Sequence, residues 1–273
     1  MSKHRALGVD IGGSGIKAAP VNLKTGVFSK DRFRLPTPQP ATPDAVGDAV
    51  AEVIHHFSPS PKVPIGVTFP GVVQGGVVRF APNMDQSWVG VNVNDVVRER
   101  VGREVFTLND ADAAGFGEYV YGAAHGRDGV IFLCTLGTGI GTAIIVNGEV
   151  VPNVELGHLT IAGLDAEEYA ADSARERHQL DWDQWAVHLQ AYFSEVERLL
   201  WPDLIIVGGG VSTKHAEFLP KLALRTPIVP AELFNGAGIV GAAAAAAHER
   251  RRIEQRLKVD AKKAAKKAAR AAR

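Results

Sequence analysis

Two aspartates stand where this sequence could place reactive carboxylates. Asp10 ends an apolar segment and begins a glycine-rich turn, and Asp110 follows Asn109 at the end of another apolar segment. A carboxylate at a strand end can position Mg²⁺ through water or accept a proton from a hydroxyl group. Asp10 is therefore a candidate Mg²⁺ ligand, with capping of the turn as the alternative, and Asp110 is a candidate general base. Asp112 is a rival base, but a helix starting here would turn it elsewhere.

Three glycine-rich turns follow predicted strands, at Gly12 to Gly15, Gly137 to Gly141 and Gly208 to Gly210. Glycine lets backbone N–H groups approach an anion closely, and several such groups in one concavity stabilise phosphate. The P-loop fingerprint is absent from the sequence, and none of these three turns has the spacing Gly-x-Gly-x-x-Gly. Each turn alone is also compatible with a plain hairpin. Their occurrence together with the two aspartates favours a site that handles phosphate.

A further polar cluster, Glu155-Leu-Gly-His158, lies in an apolar stretch, with Glu167 following nine residues later. Glu and His can bind sugar hydroxyls because they offer paired acceptors and donors. A structural role for His158 is the alternative. Cys134, in the middle of an apolar strand, is predicted to belong to the core.

The order of apolar segments and turns indicates how these residues are positioned. Strand–glycine turn–strand patterns begin at Ala6 and again at Gly129, and predicted strands alternate with predicted helices. Such alternation is typical of the α/β class. We therefore expect a duplicated core with a cleft between its halves and a boundary just after Asp110.

The charge of the chain is unevenly distributed. The 273 residues carry 30 Lys/Arg and 30 Asp/Glu. The segment from His248 to Arg273 has 11 basic and 3 acidic residues, a net charge of +8, which leaves −8 for the rest. From Asp260 onward a helix would stack Lys262, Lys266 and Arg270 on one face. This tail is interpreted as a solvated, fraying helix or as an arm that binds a polyanion.

Composition excludes several classes of protein. The 46% hydrophobic and 22% charged residues are those of a globular protein. Apolar runs are too short for a membrane helix, and the start lacks a signal-peptide core. The single cysteine excludes a disulfide framework within the chain and a cysteine-cluster zinc site. We expect a cytoplasmic protein that does not associate with membranes.

The motifs occur in the order found in the ROK (repressor, open reading frame, kinase) family of sugar kinases, which this sequence resembles over about residues 6–250. The matching motifs are Asp10 to Lys17, Asn109 to Gly115, Leu136 to Gly141, Glu155 to His158 and Gly208 to Gly210. Other segments are similar to the actinobacterial polyphosphate glucokinases and glucomannokinases: Thr68 to Val72, Ser87-Trp88, Asn109 to Gly122 and Leu224 to Pro230.

The resemblance implies the two-domain, actin-like (ribonuclease H-like) α/β fold with a central cleft. It places an N-terminal domain at 1–110, joined by a C-terminal helix at about 236–257, and a C-terminal domain at 111–235. The basic tail, 258–273, lies outside the resemblance.

The resemblance also implies roles for individual residues. Asp110 is similar to the general base that takes the proton of the glucose 6-hydroxyl, and Asp10 to a residue that holds Mg²⁺ through water. The residues expected to hold or border the sugar are Gly71, Asn109, Asp110, Glu155, His158 and Glu167. The residues expected at the phosphates are Asp10, Gly12, Gly13, Ser14, Gly15, Lys17, Thr138, Gly139, Gly209 and Gly210.

Two departures from the family pattern are visible. Most members have Thr where this chain has Ser14, but both residues carry a hydroxyl. Typical ROK kinases have a zinc-binding cysteine cluster after the Gly-His motif, whereas residues 164–174 contain no cysteine. We therefore expect Mg²⁺ as the cofactor and no zinc.

The leading interpretation is a cytoplasmic, homodimeric kinase that transfers the terminal phosphoryl group of inorganic polyphosphate to glucose. The alternatives within this class are an ATP-dependent or dual-donor glucokinase and a glucomannokinase. A sugar-sensing transcription regulator is a different class, but only nine residues precede Asp10, too few for a helix-turn-helix domain. We expect no specific nucleic-acid partner. A purely sugar-binding module would not need Asp110 as a base.

Overall fold

The protein is described by a computed structural model that covers the backbone of residues 4–271 and the side chains of residues 4–264. The first part of the chain forms a strand-rich unit with two helices. Its elements are β1 (Arg5–Ile11), β2 (Ile16–Asn22), β3 (Phe33–Leu35), α1 (Pro43–Phe57), β4 (Ile65–Phe69), β5 (Val72–Gln74), β6 (Val77–Phe80), α2 (Val93–Val101) and β7 (Phe106–Asn109).

The rest of the chain contains seven strands and six helices within the described residues. They are α3 (Asp110–Tyr121), β8 (Val130–Leu136), β9 (Ile140–Val146), β10 (Glu149–Val151), β11 (Thr160–Ile161), β12 (Leu164–Asp165), α4 (Ala166–Ala170), α5 (Asp172–Arg177), α6 (Trp182–Leu200), β13 (Leu204–Gly208), α7 (His215–Phe218), β14 (Ile228–Pro230) and α8 (Ala237–Ala271).

Two five-stranded sheets share one topology. The first sheet has the order β3-β2-β1-β4-β7 and the second the order β10-β9-β8-β13-β14. In each sheet the first three strands are antiparallel neighbours, and the last two are added in parallel. The α/β class and the duplicated core predicted from the sequence are confirmed. We propose the domain boundary after Asp110 because it separates the strands of the two sheets.

Local sequence signals explain where the main helices begin. The Thr42 hydroxyl accepts the Ala45 N–H at 3.4 Å at the start of α1. Asp181 and Gln184 form a reciprocal capping box at the start of α6. One face of α6 buries Trp185 and Phe193 against the second sheet. The sequence from Trp182 to Trp201 predicts an amphipathic helix, and α6 confirms it.

Helix α8 packs directly on the first sheet. A Cβ atom at Gly8 would lie 1.9 Å from the carbonyl oxygen of Ile239, and one at Gly66 would lie 1.9 Å from that of Ala242. The helix backbone therefore touches the strand backbone, with space for hydrogen alone at these two positions. Helix α8 also packs against α3 and so connects the two halves.

Two elements differ from the sequence-based predictions. Helix α8 does not end near Leu257 but continues to Ala271, because the added residues are mostly Ala, Lys and Arg, which favour helix. The side chains of Lys266 and Arg270 lie outside the described residues. The sequence also predicts a helix after the third glycine turn, but the structure has only a 3₁₀ segment there, Gly210–Lys214, followed by the single turn of α7. None of the helices within residues 4–271 combines the length and apolar content needed to cross a bilayer.

Candidate active site

A cleft between the two sheets brings most of the predicted site residues together. It consists of a cavity of about 620 Å³ and an adjoining cavity of about 180 Å³, and Asp110 lines both. The predicted residues on the larger cavity are Gly12, Gly13, Ser14, Gly71, Asn109, Asp110, Thr138, Gly139, Glu155, His158, Glu167 and Gly209. Asp10 and Lys17 line the smaller cavity. Gly15 and Gly210 lie next to lining residues but not on either cavity.

Asp110 is held at the junction of β7 and α3. Asn109 caps the helix, because its Oδ1 accepts the Asp112 N–H at 3.0 Å. The Nδ2 of Asn109 donates to the Gly71 carbonyl at 3.0 Å, which fixes the neighbouring loop. The Oδ1 of Asp110 accepts the Ala111 N–H at 2.9 Å. The carboxyl group therefore has a fixed direction into the cleft.

Burial and a neighbouring charge perturb this carboxyl group. Removal from water and, to a smaller extent, the negative charge of Asp10 together raise the pKa of Asp110 to about 7, against the hydrogen bond from Ala111. A carboxyl with a pKa near neutrality can exchange a proton with a substrate hydroxyl under physiological conditions.

Asp112 has an equally perturbed carboxyl but faces elsewhere. Its pKa is raised to about 7, chiefly by burial. The Oδ2 atom accepts the Asn153 N–H at 2.8 Å, and the side chain lines a separate cavity on the other side of α3. The start of α3 thus turns Asp112 away from the cleft, as expected from the sequence.

Asp10 is anchored within the smaller cavity by groups from β4 and β2. Its Oδ1 accepts the Thr68 hydroxyl at 2.9 Å, and the Lys17 ammonium lies 3.7 Å from its Oδ2. The residues present fit a magnesium ion, because two carboxylates, Asp10 and Asp110, face this cavity and Mg²⁺ prefers hard oxygen ligands.

The first glycine turn is held open toward the cleft. The Gly12 N–H donates to the Gly15 carbonyl at 3.1 Å, and the Thr37 hydroxyl donates to the Gly12 carbonyl at 2.5 Å. The Arg34 guanidinium donates to the Ser14 carbonyl at 2.9 Å. This turn therefore combines backbone groups with one exposed cation, a suitable environment for phosphate oxygens.

The other two glycine turns approach from the second sheet. The Ser173 hydroxyl donates to the Thr138 carbonyl at 2.6 Å, which ties the second turn to α5. Gly209 has a φ of +83°, and a Cβ atom there would lie 2.1 Å from the Leu136 carbonyl oxygen. Only glycine fits this position without moving the backbone.

Glu155, His158 and Glu167 form a polar wall of the larger cavity. The His158 Nδ1 lies 2.9 Å from the Asp165 Oδ2, and this contact raises the pKa of His158. Burial raises the pKa of Glu155. The Glu167 Oε1 accepts the Ile140 N–H at 3.1 Å. The wall thus presents acceptors and a histidine whose ring orientation is set by Asp165, which suits a polyhydroxylated ligand.

Several residues of the cleft were not identified from the sequence. Asp165 positions His158, Arg34 reaches the first glycine turn, and Phe80 and Asn83 line the rim of the larger cavity. Phe80 and Asn83 come from the β5–β6 hairpin and the loop after it, which carry no distinctive motif. Arg34 lies opposite Lys17 in the register between β2 and β3. This pairing could have been predicted from the sequence only if β3 had been predicted as a strand.

Known proteins are similar to this chain in sequence and in fold. Residues 6–172 match the ROK family. The chain is 49% identical over 245 residues to a polyphosphate glucokinase of Mycobacterium tuberculosis (strain CDC 1551 / Oshkosh), covering 89% of this chain and 92% of that protein.

Two solved structures have the same fold over nearly their whole length. The inorganic polyphosphate/ATP-glucomannokinase of Arthrobacter sp. strain KM superposes with a TM-score of 0.85 and 53% identity, covering 90% of this chain and 99% of that one. A ROK family glucokinase from Streptomyces griseus, in complex with glucose and AMPPNP, gives a TM-score of 0.75 at 27% identity, covering 89% and 99%. The family match over more than half of the chain and the identity to the mycobacterial relative show that the chain belongs to the ROK family.

Proposed function

We propose that this protein is a polyphosphate-dependent glucokinase, which transfers the terminal phosphoryl group of inorganic polyphosphate to the 6-hydroxyl of glucose. The observation that carries the proposal is Asp110, whose carboxyl lies between a polar wall and three glycine turns with its pKa raised to about 7. The similarity to proteins named for this activity supports the choice of donor and acceptor.

In this reaction Asp110 acts as the general base. It accepts the proton of the 6-hydroxyl as that oxygen bonds to the terminal phosphorus, and the bond from phosphorus to the next bridging oxygen breaks. The shortened polyphosphate leaves with the electron pair. Phosphoryl transfer demands alignment and charge balance more than covalent work from the protein. A positioned base contributes about 10²- to 10⁴-fold to such a step.

The polar wall is proposed to orient the sugar. Glu155 and Glu167 accept hydrogen bonds from its hydroxyls, His158 contributes a ring nitrogen, and Asn109 and Gly71 border the reacting end. Two carboxylates and a histidine along one wall of the cavity support this role, because a sugar presents several hydroxyls in fixed directions.

The glycine turns are proposed to hold the phosphates. The first phosphate loop consists of Gly12, Gly13, Ser14 and Gly15, together with Lys17. The second consists of Thr138 and Gly139, and the third of Gly209 and Gly210. Mg²⁺ bound near Asp10 and Asp110 would supply positive charge to the transferring group. Arg34 and Lys17 add cationic groups on the same side.

The alternative is an ATP-dependent or dual-donor kinase that also accepts mannose. The Arthrobacter relative is named for polyphosphate, ATP and both sugars, which favours this possibility. We also propose a homodimer and a cytoplasmic location, as the family resemblance implies. Gel filtration with light scattering would test the dimer.

The proposal is tested by measuring glucose 6-phosphate formation with Mg²⁺ and either long-chain polyphosphate or ATP as the sole donor. We expect a much higher kcat/KM with polyphosphate than with ATP. The Asp110→Asn variant is the matched control and should be inactive with both donors. Activity with ATP alone would reject the donor while leaving the sugar kinase assignment in place. Failure with both donors would reject the function.

A further inference from the structure

Helix α8 begins at the cleft and carries its basic end away from it. A Cβ atom at Gly238 would lie 3.2 Å from the Asp10 Oδ1, so the first turn of the helix touches the smaller cavity. Twelve residues later, the Arg250 Nη1 donates to the Lys62 carbonyl at 2.5 Å, in the loop that precedes β4. Because β4 runs toward the cleft, Lys62 lies at the opposite end of the first sheet.

The part of α8 beyond this contact is exposed and basic. All residues from 250 to 264 are exposed, and they include seven Lys/Arg against two Asp/Glu. Glu254 is paired with Arg250 at 3.1 Å. Among side chains 4–264, no acidic group lies within ion-pair distance of Lys258, Lys262 or Lys263. Residues 265–273 add four more Lys/Arg to the sequence and no Asp/Glu.

The distance from this surface to the cleft follows from helix geometry. At 1.5 Å per residue, Lys262 lies roughly 36 Å along the axis from Gly238. A short phosphate chain whose end is in the cleft cannot reach that far. A long chain can occupy the cleft and the exposed helix at once.

We propose that the exposed, basic part of α8, residues 250–264, is a second binding surface for inorganic polyphosphate that selects long chains. This inference rests on the proposed function, because a polymer held on the helix raises the concentration of its own end at the cleft. Inorganic polyphosphate is a linear polyanion without nucleobases, and it matches a helix whose exposed groups are mainly cationic and aliphatic. A nucleic acid would meet the same charges through its phosphates, so it is the competing occupant.

The experiment compares two double variants of the full chain with equal change in net charge. The first is Lys262→Glu with Lys263→Glu, on the proposed surface. The control is Arg127→Glu with Arg198→Glu, exposed residues at the far end of the second sheet. For each protein, the KM is measured for long-chain polyphosphate and for a short oligophosphate, at low and at high salt. Binding of long-chain polyphosphate and of double-stranded DNA is measured by fluorescence anisotropy.

We expect the first variant to raise the KM for long-chain polyphosphate about three- to tenfold at low salt. The KM for the short chain and the kcat should stay unchanged, the difference should vanish at high salt, and the control should resemble the parent. An unchanged long-chain KM in an active protein, an equal rise for short chains, or a loss of DNA binding alone would each overturn the inference. A parent that phosphorylates no glucose from either chain would instead reject the proposed function.

Discussion

The side chain of Asn153 hydrogen-bonds the backbone of Val73 twice. Its Oδ1 accepts the Val73 N–H and its Nδ2 donates to the Val73 carbonyl, each at 2.8 Å. The Asn153 N–H in turn donates to Asp112 at 2.8 Å. Val73 belongs to β5, just after Gly71, and Asn153 lies two residues before Glu155. Asn153 thus connects the segments that carry Gly71, Asp110 and Glu155, which line the larger cavity.

Replacement of Asn153 by Ala should weaken this connection. Two backbone groups of Val73, which is 7% exposed, lose their partners, so we expect a loss of about 1–3 kcal/mol in unfolding free energy. The KM for glucose should rise more than kcat falls, because the change moves the cavity walls rather than the base. Denaturant unfolding and steady-state kinetics measure both effects. Asn147→Ala, at the far end of the β9–β10 hairpin, is the control and should leave the KM unchanged.

Asp110 and Asp112 have similarly raised pKa values, but Asp110 faces the cleft and Asp112 faces a separate cavity across α3. Their amide variants therefore distinguish the effect of removing a buried carboxylate from the effect of removing the base. We expect Asp110→Asn to lower kcat by about 10²- to 10⁴-fold, since the amide cannot accept the proton. Asp112→Asn keeps an acceptor for the Asn153 N–H and should retain most of the activity. Equal losses in the two variants, with circular dichroism showing both folded, would contradict the assignment of Asp110 as the base.

The raised pKa of Asp110 predicts two opposite pH trends. The ionised base forms as the pH rises through about 7, so kcat/KM should rise over this range. The folded protein holds this proton more tightly than the unfolded chain, whose aspartates titrate near 3.8. Its contribution to stability is therefore complete below about 3.8 and is lost as the pH rises through about 7. Thermal unfolding of Asp110→Asn should show a higher Tm than the parent at pH 8, with the difference shrinking toward pH 4.

The hydrogen bond to Asp165 raises the pKa of His158, and an Asn substitution at position 165 isolates that effect. Asn at position 165 still caps α4, where the Asp165 Oδ1 accepts the Glu167 N–H at 2.9 Å. Loss of the negative charge should lower the pKa of His158, which NMR titration of the imidazole would measure. We also expect the KM for glucose to rise by about tenfold, equivalent to about 1.4 kcal/mol. An unchanged histidine titration would show that Asp165 does not act on His158.

Arg34 should act on the phosphate donor and not on the sugar. Its guanidinium reaches the Ser14 carbonyl at the first glycine turn. Arg34→Gln should raise the KM for polyphosphate by about three- to tenfold and leave the KM for glucose unchanged. Lys24→Gln, another exposed cation, serves as the control. A rise in the glucose KM alone would place Arg34 outside the donor site.

Much of the cleft was visible in the sequence because its groups sit at strand ends. Asp10, Asp110 and the three glycine turns each follow an apolar segment, a local pattern that requires no knowledge of the fold. The start of α3 was also predictable, and with it the different directions of Asp110 and Asp112.

The remaining groups depend on pairings between distant segments. Arg34 is brought to Lys17 by the short strand β3, whose three residues are too few to show a period. Asn153 acts through a backbone contact 80 residues away, and nothing in its neighbours indicates that partner. The sequence predicted the C-terminal helix only to about 257, with a fraying helix or an arm beyond it, whereas α8 continues without a break to Ala271 because Ala and Lys both favour helix.

The contact of α8 with Gly8 and Gly66 has a consequence for how the protein is made. The core of the first sheet includes Ile239, Val240, Ala243 and Ala247, which come from the last seventh of the chain. Because synthesis runs from the N-terminus, this helix is made only after the strands of both sheets. One face of the first sheet therefore stays uncovered until α8 has been made. The strands of the second sheet all precede Ala231 and are made before that helix. During translation, the strands of the later half can therefore all pair before the first sheet acquires the helix that covers it.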